Sequence, residues 1–235
     1  MCHIAVVSRS AAFHVILFDL DGTLTDSAPG ILNCIRYALD DMGIEYPDDD
    51  AMRRHLGPPL SETFGVHFGM SEADIARAIA KYRERFHDVG MFENAVYDGI
   101  PELLDGLAAA GAVLAVSTSK PTPSATRILE HYGLAHRFAF IGGAELHGSR
   151  QHKADVIEHT LDELGALGRY APHDTAVMIG DREHDMRGAA AHSMPGIGVL
   201  WGYGGEDELL RAGAILVVAS PSQLLSALLQ RTDDT

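Results

Sequence analysis

Asp19 and Asp21 stand two positions apart in the run HVILFDLDGTLTD, residues 14–26. Four apolar residues, Val15 to Phe18, lead into them, and Gly22-Thr23 turns the chain immediately afterwards. Two carboxylates this close repel, and one is pushed toward its neutral form unless a cation or a shared proton offsets the charge. The placement therefore reads as a site. Further along, GDREHD presents Asp181 and Asp185, and Ser117-Thr118-Ser119-Lys120 ends another apolar run with hydroxyls and a lysine. Hard oxygen donors of this kind suit Mg²⁺ better than zinc, which favours His and Cys. A cation among them would also let an anionic phosphoryl group approach a carboxylate.

Such residues must be brought together by the elements that carry them. Strand-sized apolar runs recur at Val15 to Phe18, Ala112 to Ser117, Phe138 to Ile141, Ala176 to Ile179, Ile197 to Leu200 and Ile215 to Val218. Helix-like stretches, among them Pro101 to Ala110, Pro123 to His131, Lys153 to Leu164 and Asp185 to Ala191, lie between most of them. That alternation predicts an α/β fold with a parallel sheet flanked by helices. Ligands of open α/β sheets bind outside the carboxyl ends of the strands, which is where all the polar groups named above fall. From Ser27 to Asn94 the pattern is helical only. Ile31, Leu32, Ile35, Ala38 and Leu39 share one helical face, and Ile75, Ala78, Ile79 and Tyr82 share another, with Gly57-Pro58-Pro59 breaking the chain between them. The expected organisation is an α/β core of residues 1–26 and 97–235 with a small all-helical domain, 27–96, inserted after the first strand. Met1 to Ala12 reads as an extension, and the tail from Arg231 is expected to fray.

Composition removes several function classes. The 235 residues carry a formal net charge of −15, which repels nucleic-acid polymers and anionic membrane surfaces. The apolar runs near the start are too short to span a bilayer. Two cysteines make no disulfide or zinc framework, which fits a reducing cytoplasm. None of the thirteen histidines sits in an HExxH pattern. Gly196-Ile197-Gly198 does not continue into GxGxxG, because Trp201 holds the last position, and no P-loop is present.

With these residues in hand, the chain resembles the haloacid dehalogenase (HAD) superfamily of hydrolases, in its phosphoglycolate phosphatase-like and 5′-nucleotidase-like branch. The family's DxDGT is Asp19-Leu20-Asp21-Gly22-Thr23, its Thr or Ser after a strand is Thr118, its helix-opening lysine is best matched by Lys153, with Arg150 the nearest substitute, and its GDxxxD is Gly180-Asp181 to Asp185. The resemblance implies a Rossmann-like core and a helical cap that closes over it. It implies Asp19 as nucleophile, Asp21 as general acid and base, Thr118 and Lys153 holding the phosphoryl oxygens beside Ser119, and Mg²⁺ on Asp19, the Asp21 carbonyl and Asp181 with Asp185 in support. Gly57 and Pro58 resemble the cap loop that dips toward substrate, and Arg54 before them could hold an anionic tail. The partner expected is a small phosphorylated metabolite, phosphoglycolate or a nucleoside 5′-monophosphate, bound by a monomer or weak homodimer. A β-phosphoglucomutase-type transferase and a non-catalytic metabolite-binding regulator are the other readings. Relatives acting on carbon lack a carboxylate at the position of Asp21, which turns the resemblance toward phosphate esters.

Overall fold

The computed structural model describes residues 9–53, 56, 60–145, 150 and 152–231. In chain order the strands among them are β1 (Arg9–Ala11), β2 (Val15–Phe18), β3 (Thr25–Asp26), β4 (Ala95–Val96), β5 (Val113–Pro121), β6 (Phe140–Ala144), β7 (Ala176–Gly180), β8 (Gly196–Val199), β9 (Leu216–Val218) and β10 (Leu229–Arg231). Six of them form one sheet in the order β6-β5-β2-β7-β8-β9, with every neighbouring pair parallel. β2 is central, and all four of its residues are buried. An unbroken apolar run is what a strand covered on both faces requires. Its alternate residues feed two cores: Val15 and Leu17 join one cluster with Ile157 and Met178, while Ile16 and Phe18 join a larger one on the other face. The chain leaves β2 toward β5 and β6, then crosses back to build β7, β8 and β9 on the other side. Strand order thus reverses beside β2, where an open sheet leaves a crevice for ligands.

The helices are α1 (Ala28–Met42), α2 (Asp49–Arg53), α3 (Leu60–Glu62), α4 (Glu72–Asp88), α5 (Ile100–Ala109), α6 (Thr122–His131), α7 (Lys153–Ala166), α8 (Glu183–Ala191), α9 (Glu206–Arg211) and α10 (Pro221–Leu228). The α/β fold expected from the alternation of apolar runs is the fold observed. β6 starts at Phe140, two residues late, because the amide of Phe138 closes the short turn Ala135–Arg137. β5 runs on through Pro121, past the Ser117 at which the apolar pattern stops.

Between β3 and β4, which pair antiparallel, the described residues hold helices and two short helical turns and no strand. Leu32, Ile35, Ala38 and Leu39 of α1 and Ala78, Tyr82 and Phe86 of α4 are buried together. That is the outcome of their helical spacing: each helix buries the one face that carries its apolar residues. Ser71 caps α4 by accepting the Asp74 amide. β1 pairs antiparallel with β10, Arg9 facing Arg231, so the fraying expected from Arg231 does not hold there; a backbone ladder holds it. No helix among the described residues is long and apolar enough to cross a membrane.

Candidate active site

Asp19 directly follows β2, and its amide still donates to the Ile179 carbonyl of β7 at 2.9 Å. The chain then closes a tight turn in which the Leu20 carbonyl accepts the amides of Leu24 and Thr25 at 2.9 and 3.0 Å. Gly22 in that turn has φ +82°, and a Cβ there would collide with the Asp181 carboxylate, so the position requires glycine on both counts. This is why a glycine follows the second aspartate.

The remaining groups come from the ends of β5 and β7 and the first turns of α7 and α8. Lys153, at the first position of α7, hydrogen-bonds Asp19 Oδ1 at 2.8 Å and the Ser117 carbonyl at 3.1 Å. Its Nζ also lies 2.8 Å from Asp185 Oδ1, at ion-pair distance. Burial alone would lower the Lys153 pKa; the charges of Asp185 and Asp19 outweigh it and hold the ammonium above its ordinary value. Asp181 is fully buried at the end of β7. Its Oδ1 accepts from Thr23 Oγ1 at 3.3 Å and its Oδ2 from the Tyr203 amide at 2.7 Å. Burial pushes Asp181 well above the usual carboxylate range, and Asp185 and Asp19 push the same way. Asp185 is raised by burial too, with Lys153 opposing. On β5, Thr118 is buried and accepts the Lys120 amide at 3.2 Å, while Lys120 Nζ stands 3.0 Å from Asp21 Oδ2.

Asp19, Asp21, Thr118, Lys153, Asp181 and Asp185 are therefore gathered at one sheet edge. Arg150, the substitute considered for Lys153, turns away to the Gly143 carbonyl and Glu145. Ser119 is exposed between buried Thr118 and Lys120. His184 is exposed on α8 and Arg53 on α2. Arg54, Gly57 and Pro58 lie outside the described residues. Three contributors carried no assigned role in the sequence. Thr23 and Tyr203 orient Asp181, and Trp201 Nε1 donates to the Thr23 carbonyl at 2.9 Å. The Tyr203 hydroxyl accepts the Ser27 amide at 2.9 Å and donates to Asp26 at 3.1 Å, tying the same loop to β3. The signals in the sequence are the DxDGT run for Thr23 and the Trp201-Gly202-Tyr203-Gly204 pattern for the other two, and neither says which aspartate they reach.

Carboxylate oxygens of Asp19, Asp181 and Asp185 lie within 4.8 Å of one another. Buried Asp185 Oδ1 faces the Lys153 ammonium at 2.8 Å. An all-oxygen donor set of three clustered carboxylates fits a hard divalent cation and not a thiophilic one.

The haloacid dehalogenase-like hydrolase family profile matches residues 16–199. The chain belongs to that family. The 5′-nucleotidase of Pseudomonas aeruginosa is 45% identical over 194 residues, covering 83% of this chain and 86% of that protein. Tyrosine-protein kinase PtkA of Mycobacterium tuberculosis is 42% identical over 203 residues, 86% of this chain and 67% of that one. The crystal structure of a predicted phosphatase from Clostridium acetobutylicum superposes with a TM-score of 0.85 at 42% identity, covering 92% of this chain and 97% of that one. Within the family, the chain stands with the phosphatases, hydrolases of phosphoric monoesters.

Proposed function

We propose that the chain is a Mg²⁺-dependent phosphomonoesterase that works on a small soluble metabolite in two steps through an aspartyl phosphate on Asp19. An Asp19 oxygen bonds to phosphorus as the ester P–O bond breaks, and Asp21 delivers its proton to the departing alcohol oxygen. Asp21 then takes a proton from water, whose oxygen attacks phosphorus and frees Asp19 and inorganic phosphate. Lys153 and Thr118 hold the non-bridging oxygens and neutralise their charge. Asp19, Asp181, Asp185 and the Asp21 carbonyl would hold Mg²⁺, which supplies charge neutralisation between the carboxylates and the phosphoryl group.

The observation that carries this reading is the convergence of Asp19, Lys153, Asp181 and Asp185 within ion-pair and ligand distance at the strand-order reversal. In this reading residues 27–96 act as a cap over a core of 1–26 and 97–235, excluding bulk water until the alcohol has left. A nucleoside 5′-monophosphate is the first substrate candidate, supported by the name of the Pseudomonas relative, and phosphoglycolate is the second. The kinase name of the mycobacterial relative supports a second reading, in which the same aspartyl phosphate passes to an acceptor other than water; mutase turnover belongs to that class.

Phosphate release from nucleotides, phosphoglycolate, sugar phosphates and an aryl phosphate, with Mg²⁺ or EDTA and beside Asp19→Asn, tests the proposal. Release that needs both Mg²⁺ and Asp19 supports it and ranks the substrates. Folded wild type that releases no more than Asp19→Asn across the panel overturns it, and label retained on protein or passed to another acceptor would move the assignment to transfer.

A further inference from the structure

We propose that Lys120 is the positioning residue for Asp21, and that Phe86 of α4 forms the opposite side of the clamp that holds Lys120 in place. The inference rests on the acid and base role of Asp21 given above and adds what aligns it.

Lys120 is buried, its side chain only 7% exposed, and a buried ammonium demands a counter-charge. It finds one at 3.0 Å in Asp21 Oδ2. The other oxygen, Asp21 Oδ1, is also buried and has no hydrogen-bond partner. The two oxygens are thereby inequivalent: one is fixed by the lysine, and one is left open for proton transfer. Buried polar atoms without partners are uncommon in folded proteins, and at a reaction site they mark a group waiting for a ligand.

The backbone is shaped to make this contact. The pairing of β5 with β6 loses register between Thr118 and Pro121, the stretch that contains Lys120. Irregularities of this type re-aim side chains beside active sites. Gly143 on β6 permits the detour, since a Cβ there would lie 2.5 Å from the Lys120 carbonyl and 2.7 Å from the Thr122 nitrogen. The Lys120 amide is tied in turn to Thr118 Oγ1, so the residue that holds the phosphoryl group and the one that holds the acid share a hydrogen bond.

The second wall comes from the helical segment. Lys120 Nζ lies 4.7 Å from the centroid of the Phe86 ring, within the range of a cation–π contact. Phe86 is itself stacked on Tyr82, one turn earlier on α4, at 5.4 Å and 18°. Both rings are buried, so neither is free to swing aside. The ammonium is enclosed between a carboxylate of the sheet edge and an aromatic stack of α4. Alignment of Asp21 then depends on α4 being seated.

The test exploits the leaving group. An alkyl ester expels an alkoxide that needs the proton of Asp21, whereas a nitrophenyl ester expels a stable anion that does not. kcat/KM reports only on steps up to departure of that group, so later water attack does not blur the comparison. With Mg²⁺ present, Lys120→Met is expected to lower kcat/KM for an alkyl phosphate by about a hundred-fold, the usual scale of general acid catalysis, and that for nitrophenyl phosphate by less than about five-fold. Lys120→Arg should recover part of the loss, and Phe86→Leu should repeat the selectivity on a smaller scale. These two variants carry the same comparison if Lys120→Met does not fold. Equal losses on both esters, or none, overturn the proposal, since a residue that binds phosphate or merely supports the fold does not distinguish leaving groups. Asp21→Asn separates the two levels of inference. If it is selective and the Lys120 variants are not, Lys120 positioning alone falls; if it is not selective, the acid role and the positioning role fall together.

Discussion

The carboxyl edge of the sheet crowds Asp19, Asp21, Asp181 and Asp185 around Lys120 and Lys153, whereas the helical stretch between β3 and β4 keeps its ion pairs toward its periphery. In the stretch, Arg85 grips Glu93 with two hydrogen bonds of 2.6 and 2.8 Å, Asn33 adds a third at 3.2 Å, and both charged side chains stay partly exposed. At the edge, Lys153 is enclosed by two carboxylates, and Asp181 and Asp185 have almost no contact with solvent. The first arrangement stabilises a fold at little desolvation cost; the second carries that cost in full. Electrostatic strain is thus concentrated where a cation and a phosphoryl group would relieve it.

The sharpest way to break this contrast is Asp19→Asn, expected to lower phosphate release on the order of 10⁵-fold while circular dichroism stays unchanged. Lys153→Met should cost roughly 10²–10³-fold in kcat, the scale of losing one preorganised charge at a developing oxyanion. A loss of only a few-fold would mean that Lys153 is an internal counter-ion and nothing more.

Metal removal separates the two regions by stability. Mg²⁺ at about a hundred times its Kd should stabilise the wild type by about 2.7 kcal/mol in denaturant titrations. Asp181→Asn should abolish that increment, and Glu93→Gln should leave it intact.

The pH dependence of the EDTA-treated protein should have opposite signs in the two regions. Asp181 has a folded-state pKa above its ordinary 3.8, raised first by burial. The folded state therefore keeps its proton longer than the unfolded one, and this carboxylate destabilises the fold progressively as pH rises above 3.8. Glu93 is lowered below its ordinary 4.5, chiefly by its hydrogen bonds from Arg85. Its contribution is present above 4.5 and lost as pH falls through the folded pKa. Asp181→Asn should flatten the first trend in urea titrations without metal, and Glu93→Gln the second. The smallest effect expected is the one at neutral pH from Glu93→Gln, at most about 1 kcal/mol for so exposed a pair.

Much of this was legible along the chain. β2 is a four-residue apolar run because it is covered on both faces, and α1 and α4 show the helical spacing that their packing uses. Asp19, Asp21 and Asp181 come just after a strand, Thr118 near the end of one and Asp185 in the helix turn that follows, so the rule that sheets bind ligands at their carboxyl ends was enough to collect them. The pairing of Arg9 with Arg231 was not legible, since β1 and β10 are three-residue strands without alternation to announce them. The exposure of Ser119 was not legible for a related reason: the apolar run stops at Ser117, but the strand continues to Pro121.

By itself the sequence determined the alternation of strands and helices, the family, and the acid cluster, because each is encoded within a strand, a turn or a few helical residues. Only the tertiary structure decided which charges meet. Asp19 and Lys153 are 134 residues apart, and Thr23 and Asp181 are 158 apart. That Lys153 and not Arg150 reaches Asp19, that Lys120 takes Asp21, and that Phe86 closes behind it depend on strand register and on the seating of α4. Local spacing sets which face a residue occupies. Packing between distant elements sets what it finds there.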